Sequence, residues 1–191
     1  MYVTLISDAS FCPQTNSAGF GSWVVSNRAR KSYGSMIRDA NNSGVAEAMG
    51  ICNALAYAIR DGNIRKGDYV LIQCDATDGI AIVEGTSVDK PERVKVRTWF
   101  RDTVQELKLT IEFRHVKGHS KQDGNKFKAQ NKCDALAYSF MCKMRGIKKL
   151  RKLKEKIRRS KQNILEVEKL QIQNEIAMVT VKIDRMLAGD Y

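Results

Sequence analysis

The segment 68–74 (DYVLIQC) is an apolar run held between Gly67 and Asp75, and its density of Val, Leu and Ile marks a strand buried on both faces. Such a strand cannot stand alone. It needs neighbouring strands and covering helices, which the rest of the chain must supply. Three strand signals precede it, at 2–7 (YVTLIS), 20–26 (FGSWVVS) and 31–37 (KSYGSMI). The short polar stretches between them predict an antiparallel meander.

Residues 41–44 form a helix-start cluster, and 45–59 carries Met49, Cys52, Leu55, Ala56 and Ile59 at helical spacing. Beyond the buried run come a short helix over 77–84, a longer one over about 93–107, an alternating strand at 109–115 (LTIEFRH) and a helix over 127–142. The predicted order is βββ-α-β-α-α-β-α. This is an α/β chain with helices on the faces of a mixed sheet.

Charge separates the remainder from this unit. Residues 1–142 hold 19 Lys/Arg against 15 Asp/Glu, whereas residues 143–191 hold 14 against 6, so most of the net +12 lies in the tail. A basic surface selects a polyanionic partner. Over 143–161 there are 11 basic residues and one acid, with Ile147, Leu150, Leu153 and Ile157 at helical spacing. Leu165, Ile172, Ile176, Val179, Ile183 and Met186 then follow at intervals of 7, 4, 3, 4 and 3, a coiled-coil-like stripe suited to self-association. The two stripes are out of phase, which predicts a stutter within 167–172. Two domains are expected, 1–142 and a basic helical extension over 143–191.

No run of about 18 apolar residues and no signal-peptide pattern is present, so a soluble, cytoplasmic protein with no membrane partner is expected. The five cysteines (Cys12, Cys52, Cys74, Cys133, Cys142) are odd in number and lack CxxC spacing. That argues against a zinc site and against a secreted disulfide framework.

Four acids stand where an inward carboxylate is costly. Asp8 ends or interrupts the first strand, Glu47 lies one turn into the first helix, Asp75 follows the buried strand and Asp134 lies near the start of the last helix. Each alone has an ordinary use as a turn former, a cap or a partner of a helix dipole. Gathered in one pocket they would repel, and a divalent cation would have to compensate them. Mg²⁺ suits an all-carboxylate site, and two such ions about 4 Å apart can hydrolyse a phosphodiester. Ahead of Asp134, the polar loop HVKGHS carries His119, a group able to move protons near neutral pH.

DAS at Asp8, AE at Glu47, CDAT at Asp75, and HVKGHS followed by NKCDALA at Asp134 resemble ribonuclease H of type I, over about residues 1–142. The resemblance implies a ribonuclease H-like five-stranded mixed sheet with flanking helices. It also implies hydrolysis of the RNA strand of RNA–DNA hybrids with two Mg²⁺ ions, Mn²⁺ being the alternative. Asp8, Glu47, Asp75 and Asp134 match the metal-binding acids of the family, and His119 matches its loop histidine.

Departures bear on substrate recognition rather than on the acids. Asp-Ala-Ser replaces the commoner Asp-Gly-Ser; Asn42, Ser43 and Gly44 stand where Thr-Asn-Asn is frequent; Ala76 and Thr77 replace Ser and Gln. The basic protrusion of some bacterial members has no counterpart. Reading a 2′-hydroxyl falls to Asn16, Asn42, Ser43, Gly44 and Ala76, and phosphate binding falls to Lys117 and Lys121. In the tail, Lys148, Lys149, Arg151, Lys152, Lys154, Arg158 and Arg159 form an electrostatic handle. Two competing functions remain: the same chemistry on double-stranded RNA or branched DNA, and a non-catalytic nucleic-acid-binding or assembly protein.

Overall fold

The structure, a computed structural model, describes residues 1–116, 125–159 and 166–188, and their side chains except at 125–127, 159 and 166–168. The chain divides into two compact units, Met1–Met141 and Cys142–Tyr191.

In the first unit β1 (Tyr2–Cys12), β2 (Ser17–Val25), β3 (Arg30–Ile37), α1 (Ser43–Arg60), β4 (Tyr69–Cys74), α2 (Thr77–Glu84), α3 (Pro91–Glu106) and β5 (Thr110–His115) precede α4 (Asn125–Arg159). The strands form one sheet in the order β3-β2-β1-β4-β5. The β1–β2 and β2–β3 pairs are antiparallel, and β1–β4 and β4–β5 are parallel. The expected mixed five-stranded sheet is present. β4 is interior as its composition requires, although β1 takes the centre.

β1 outruns its sequence signal. Asp8 neither ends nor interrupts it, because pairing with β2 continues from Asp8 opposite Gly21 to Cys12 opposite Ser17. The apolar alternation stops earlier than the ladder does, since backbone hydrogen bonds do not depend on side-chain polarity.

α1 is fixed at its start by Asn42, whose side-chain oxygen accepts from the Val45 N–H at 2.9 Å. Its buried residues, including Ala48, Ile51, Leu55 and Ala58, pack on the sheet face formed by Val3, Leu5, Phe20 and Val24. Leu5, Phe20, Ile51, Leu55 and Ile72 are fully buried, and each such side chain contributes about 1.5–3 kcal/mol.

α4 covers the opposite face, as strand alternation dictates. Its buried residues Cys133, Ala137 and Met141 recur at a spacing of four. A Cβ on Gly21 would overlap the Cys133 carbonyl oxygen, so only glycine lets the helix backbone come this close.

Away from the acids, at the start of β4, Asp68 is buried and collects three donors. Arg28 holds it with both terminal nitrogens, the Met1 amine lies 2.9 Å away and the Arg65 N–H 2.8 Å away. These partners keep its carboxyl well below the usual range, the Arg28 hydrogen bond contributing most.

The second unit holds the end of α4 and α5 (Glu166–Ala188). Helix α4 does not stop near residue 142 but continues to Arg159, and α5 begins anew at Glu166. The two stripes therefore belong to separate helices. A Cβ on Gly146 would lie 3.0 Å from Ile183 Cγ1, so these helices touch within the unit. Ile147, Leu150, Leu153, Ile157, Ile172, Ile176, Val179 and Ile183 are buried or half-buried, while Leu170, Met178, Val181 and Leu187 of α5 stay exposed. No helix among the described residues is long and apolar enough to cross a membrane.

Candidate active site

Parallel pairing of β1 with β4 brings the first two acids near each other. Ile6 lies opposite Gln73 in the last pair of the ladder; Asp8 follows two residues on within β1, and Asp75 comes directly after the end of β4. Glu47 approaches from α1, where Gly79 of α2 presses against it. A Cβ on Gly79 would stand 2.6 Å from the Glu47 Cβ, so this glycine is what lets α2 wall in the carboxylate. Asp134 is supplied by α4 from the other face.

Asp8 feels the charges of Asp75 and Asp134, and Glu47 feels those of Asp8 and Asp75. Burial pushes the Asp8 carboxyl up to about 7, and the charges of Asp75 and Asp134 add to the rise. Burial pushes Glu47 up to about 9, with Asp8 and Asp75 adding to it. Backbone hydrogen bonding at Ala9 opposes both shifts without cancelling either. The sequence-predicted acids are thus brought together.

Three further groups enter that sequence reasoning did not single out. Cys74 Sγ donates to Glu47 Oε2 at 3.8 Å and accepts from the Ala76 N–H at 3.5 Å. Ligand atoms of Glu47, Cys74 and Asp75 all lie within 4.8 Å of one another. Burial raises the Cys74 thiol far above its ordinary value, so it behaves as a weak neutral donor. His115 ends β5 opposite Cys74, with Nε2 3.0 Å from the Asp75 carbonyl oxygen.

Gln130 lies one turn before Asp134 on the sheet-facing stripe of α4. It is 7% exposed, and neither its Oε1 nor its Nε2 finds a well-formed partner among the described residues. Its amide nevertheless reaches Asp8 closely enough to favour the ionised carboxylate. One sequence signal existed, a polar residue continuing the Cys133, Ala137, Met141 spacing.

His119, Lys117 and Lys121 lie outside the described residues. Asn42 spends its amide locally, capping α1 through Oδ1 and donating to Asn41 Oδ1 at 2.8 Å through Nδ2. Ser43 is exposed at the first turn of α1, and Gly44 is buried against the Asp78 carboxylate. Ala76 caps α2, and Asn16 is exposed in the β1–β2 turn with φ of 47°. In the second unit Lys149, Arg151, Lys152, Lys154 and Arg158 are exposed and Lys148 is half-buried. The Arg159 side chain lies outside the described residues.

The arrangement fits a divalent cation on its own chemistry. Glu47 and Asp75 offer hard oxygen ligands within reach of one another, positive charge would relieve the crowding felt at Asp8 and Glu47, and the buried Gln130 amide has unspent hydrogen bonds.

No protein-family model matches the sequence, and no curated protein matches it. Solved structures do match. RNase H1 from the halophilic archaeon Halobacterium salinarum is 17% identical with a TM-score of 0.59, the match covering 74% of this chain and 98% of that one. The N-terminal RNase H domain of a Mycobacterium tuberculosis protein, solved as a fusion with maltose-binding protein, is 17% identical with a TM-score of 0.57 over 73% of this chain and 93% of that one. LC11-RNase H1, solved in complex with an RNA/DNA hybrid, is 14% identical with a TM-score of 0.57 over 74% of this chain and 97% of that one. At these identities the likeness is one of fold. The chain has the ribonuclease H fold.

Proposed function

We propose that this protein is a Mg²⁺-dependent endoribonuclease that hydrolyses the RNA strand of RNA–DNA hybrids. The observation carrying the reading is the proximity of Asp8, Glu47, Asp75 and Asp134, drawn from β1, α1, the turn after β4 and α4, on a ribonuclease H fold. Carboxylates crowded to the point of raised proton affinity have no structural use that an apolar residue would not serve better.

Asp8, Glu47, Asp75 and Asp134 would hold two divalent ions, Mg²⁺ or Mn²⁺, which when bound supply Lewis-acid stabilisation of the phosphodiester and an ionised water. The chain's own groups do the rest. β1 carries Asp8, and the end of β4 sets Asp75 directly after its last residue, so both acids are anchored by the central strands. Gly79 lets α2 wall in Glu47 and keep bulk water from it. His119, which precedes α4 in the sequence, would carry a proton to or from the departing product.

The basic residues of α4 in the second unit add affinity for any polyanion, independent of sequence. Leu170, Met178, Val181 and Leu187 on α5 offer a surface for self-association, which light scattering over a range of concentrations would test. Five free cysteines accord with the reducing cytoplasm as the place of action.

A second reading keeps the fold and the metal chemistry but changes the substrate to double-stranded RNA or branched DNA. It is favoured by one observation: the Asn42 amide is consumed in capping α1 and is not free to read a 2′-hydroxyl. One assay decides between them. Labelled RNA–DNA hybrid, double-stranded RNA and branched DNA are each incubated with Mg²⁺ or EDTA, using wild type and Asp75→Asn. Mg²⁺-dependent cleavage of the hybrid alone supports the first reading, and binding without cleavage of any substrate overturns both.

A further inference from the structure

Gln130 is the one buried residue on the sheet-facing stripe of α4 between Gln130 and Met141 whose polarity the packing does not explain. Cys133, Ala137 and Met141 are apolar and buried against the sheet, but Gln130 brings a carboxamide into the same stripe at 7% exposure. Both of its heteroatoms are shielded from solvent and lack partners among the described residues. A buried donor or acceptor left unmade keeps the full cost of its desolvation, so a leucine or methionine would serve the fold better.

Its surroundings supply the missing explanation. Asp8 pairs with Gly21, on which α4 rests at Cys133 and Ala137, and Gln130 lies one turn before Cys133 and Asp134 on the same helix. A carboxamide carries donors on Nε2 and an acceptor on Oε1. The acids can satisfy only the donors. The acceptor calls for a donor that none of the four carboxylates provides once ionised.

We propose that Gln130 is a positioning residue of the cation site: Nε2 donates to the Asp8 carboxylate, and Oε1 accepts from a water that enters with the divalent ion. The inference rests on the functional reading above and deepens it. Gln130 acts through Asp8. It fixes the orientation of that carboxylate from a helix seated directly on the sheet at Gly21, in the way that hydrogen-bond partners of ligating carboxylates tune affinity.

The consequence is a pair of effects of opposite sign. In EDTA, Gln130→Met removes two unmet polar atoms while keeping the side-chain length, so the full-length variant unfolds at the same or a higher urea concentration than wild type. In Mg²⁺, the same variant binds the ion about 10–100-fold more weakly, the range typical when a hydrogen-bond partner of a metal ligand is removed. Binding is read by calorimetry on the full chain with Mg²⁺ alone, without nucleic acid.

A residue that only packs would lower stability and leave affinity unchanged. Mg²⁺ affinity within about two-fold of wild type in a folded Gln130→Met protein would therefore overturn the inference. Should that variant not fold, Gln130→Asn takes its place, since it keeps the amide but withdraws it by one methylene, and the same affinity criterion applies. Wild type that takes up no Mg²⁺ and cleaves no hybrid overturns the parent reading instead, and is told apart from the first outcome by the wild-type titration.

Discussion

Asp8 and Asp75 each lie two residues beyond the Ile6–Gln73 pair of neighbouring parallel strands, the first within β1 and the second just past the end of β4. Side chains at that spacing stand close enough for each charge to oppose the other, and Asp75 is the largest charged contributor to the rise at Asp8.

Asp75→Asn therefore has two outcomes. Hybrid cleavage in Mg²⁺ falls by about 10²-fold or more, the scale of losing one preorganised electrostatic group. Stability in EDTA rises by about 1 kcal/mol, because one of the mutually opposed charges is gone. Gel assays and urea denaturation of the same preparation check both.

Proton linkage gives the next expectation. In the folded chain Asp8 titrates at about 7 and Glu47 at about 9, against roughly 4 for unfolded carboxyls. Between those values the folded state binds more protons than the unfolded one, so stability falls as pH rises. The contribution is fully present below about 4 and is lost as pH passes through the two folded values. Saturating Mg²⁺ favours the ionised forms and should flatten or reverse the slope. Urea denaturation from mildly acidic to alkaline pH, in EDTA and in Mg²⁺, measures it; parallel curves would refute it.

The opposite sign holds at Asp68. Arg28, the Met1 amine and the Arg65 N–H depress its carboxyl, so its contribution is present above the unfolded value of about 3.9 and is lost as pH falls below it. Asp68→Asn should cost about 2–3 kcal/mol at neutral pH by leaving Arg28 short of a charged acceptor. It should also flatten the acid limb of the stability curve, which denaturation at acidic and neutral pH would reveal.

For the basic segment the expected readout is the salt dependence of nucleic-acid binding. Replacing Lys149, Arg151, Lys152 and Lys154 with glutamine should reduce the slope of log K against log salt by about 0.9 for each phosphate no longer neutralised, while cleavage per bound complex stays the same. An unaltered slope would mean that these exposed cations merely solvate the helix.

Much of the fold was legible because local signals agreed with the global answer. The apolar density of β4, the helical spacing of α1 and the alternation in β5 each follow from burial on two faces, on one face, or at an edge. β1 was read short because its ladder beyond Ser7 rests on pairing with β2, which leaves no apolar trace. The end of α4 was misplaced for a related reason: nothing breaks the helix near residue 142, and Gly146 is tolerated where Ile183 packs against it. The four acids were singled out as strand-end and helix-start residues, yet Asp8 lies within β1 and Asp134 well inside α4, since polar side chains mark neither the end of a ladder nor the start of a long helix. Gln130, Cys74 and His115 were not singled out, since an amide, a thiol and an imidazole acquire a role only from what the fold sets beside them.

β5 closes one side of the sheet as a thin, largely uncovered strand carrying Glu112 and Arg114, with Tyr69 donating to Glu112. Another molecule that tried to extend the sheet there would have to strip water from an acid and a base already matched to each other. The protein should therefore tolerate concentration without stacking edge to edge into fibrils.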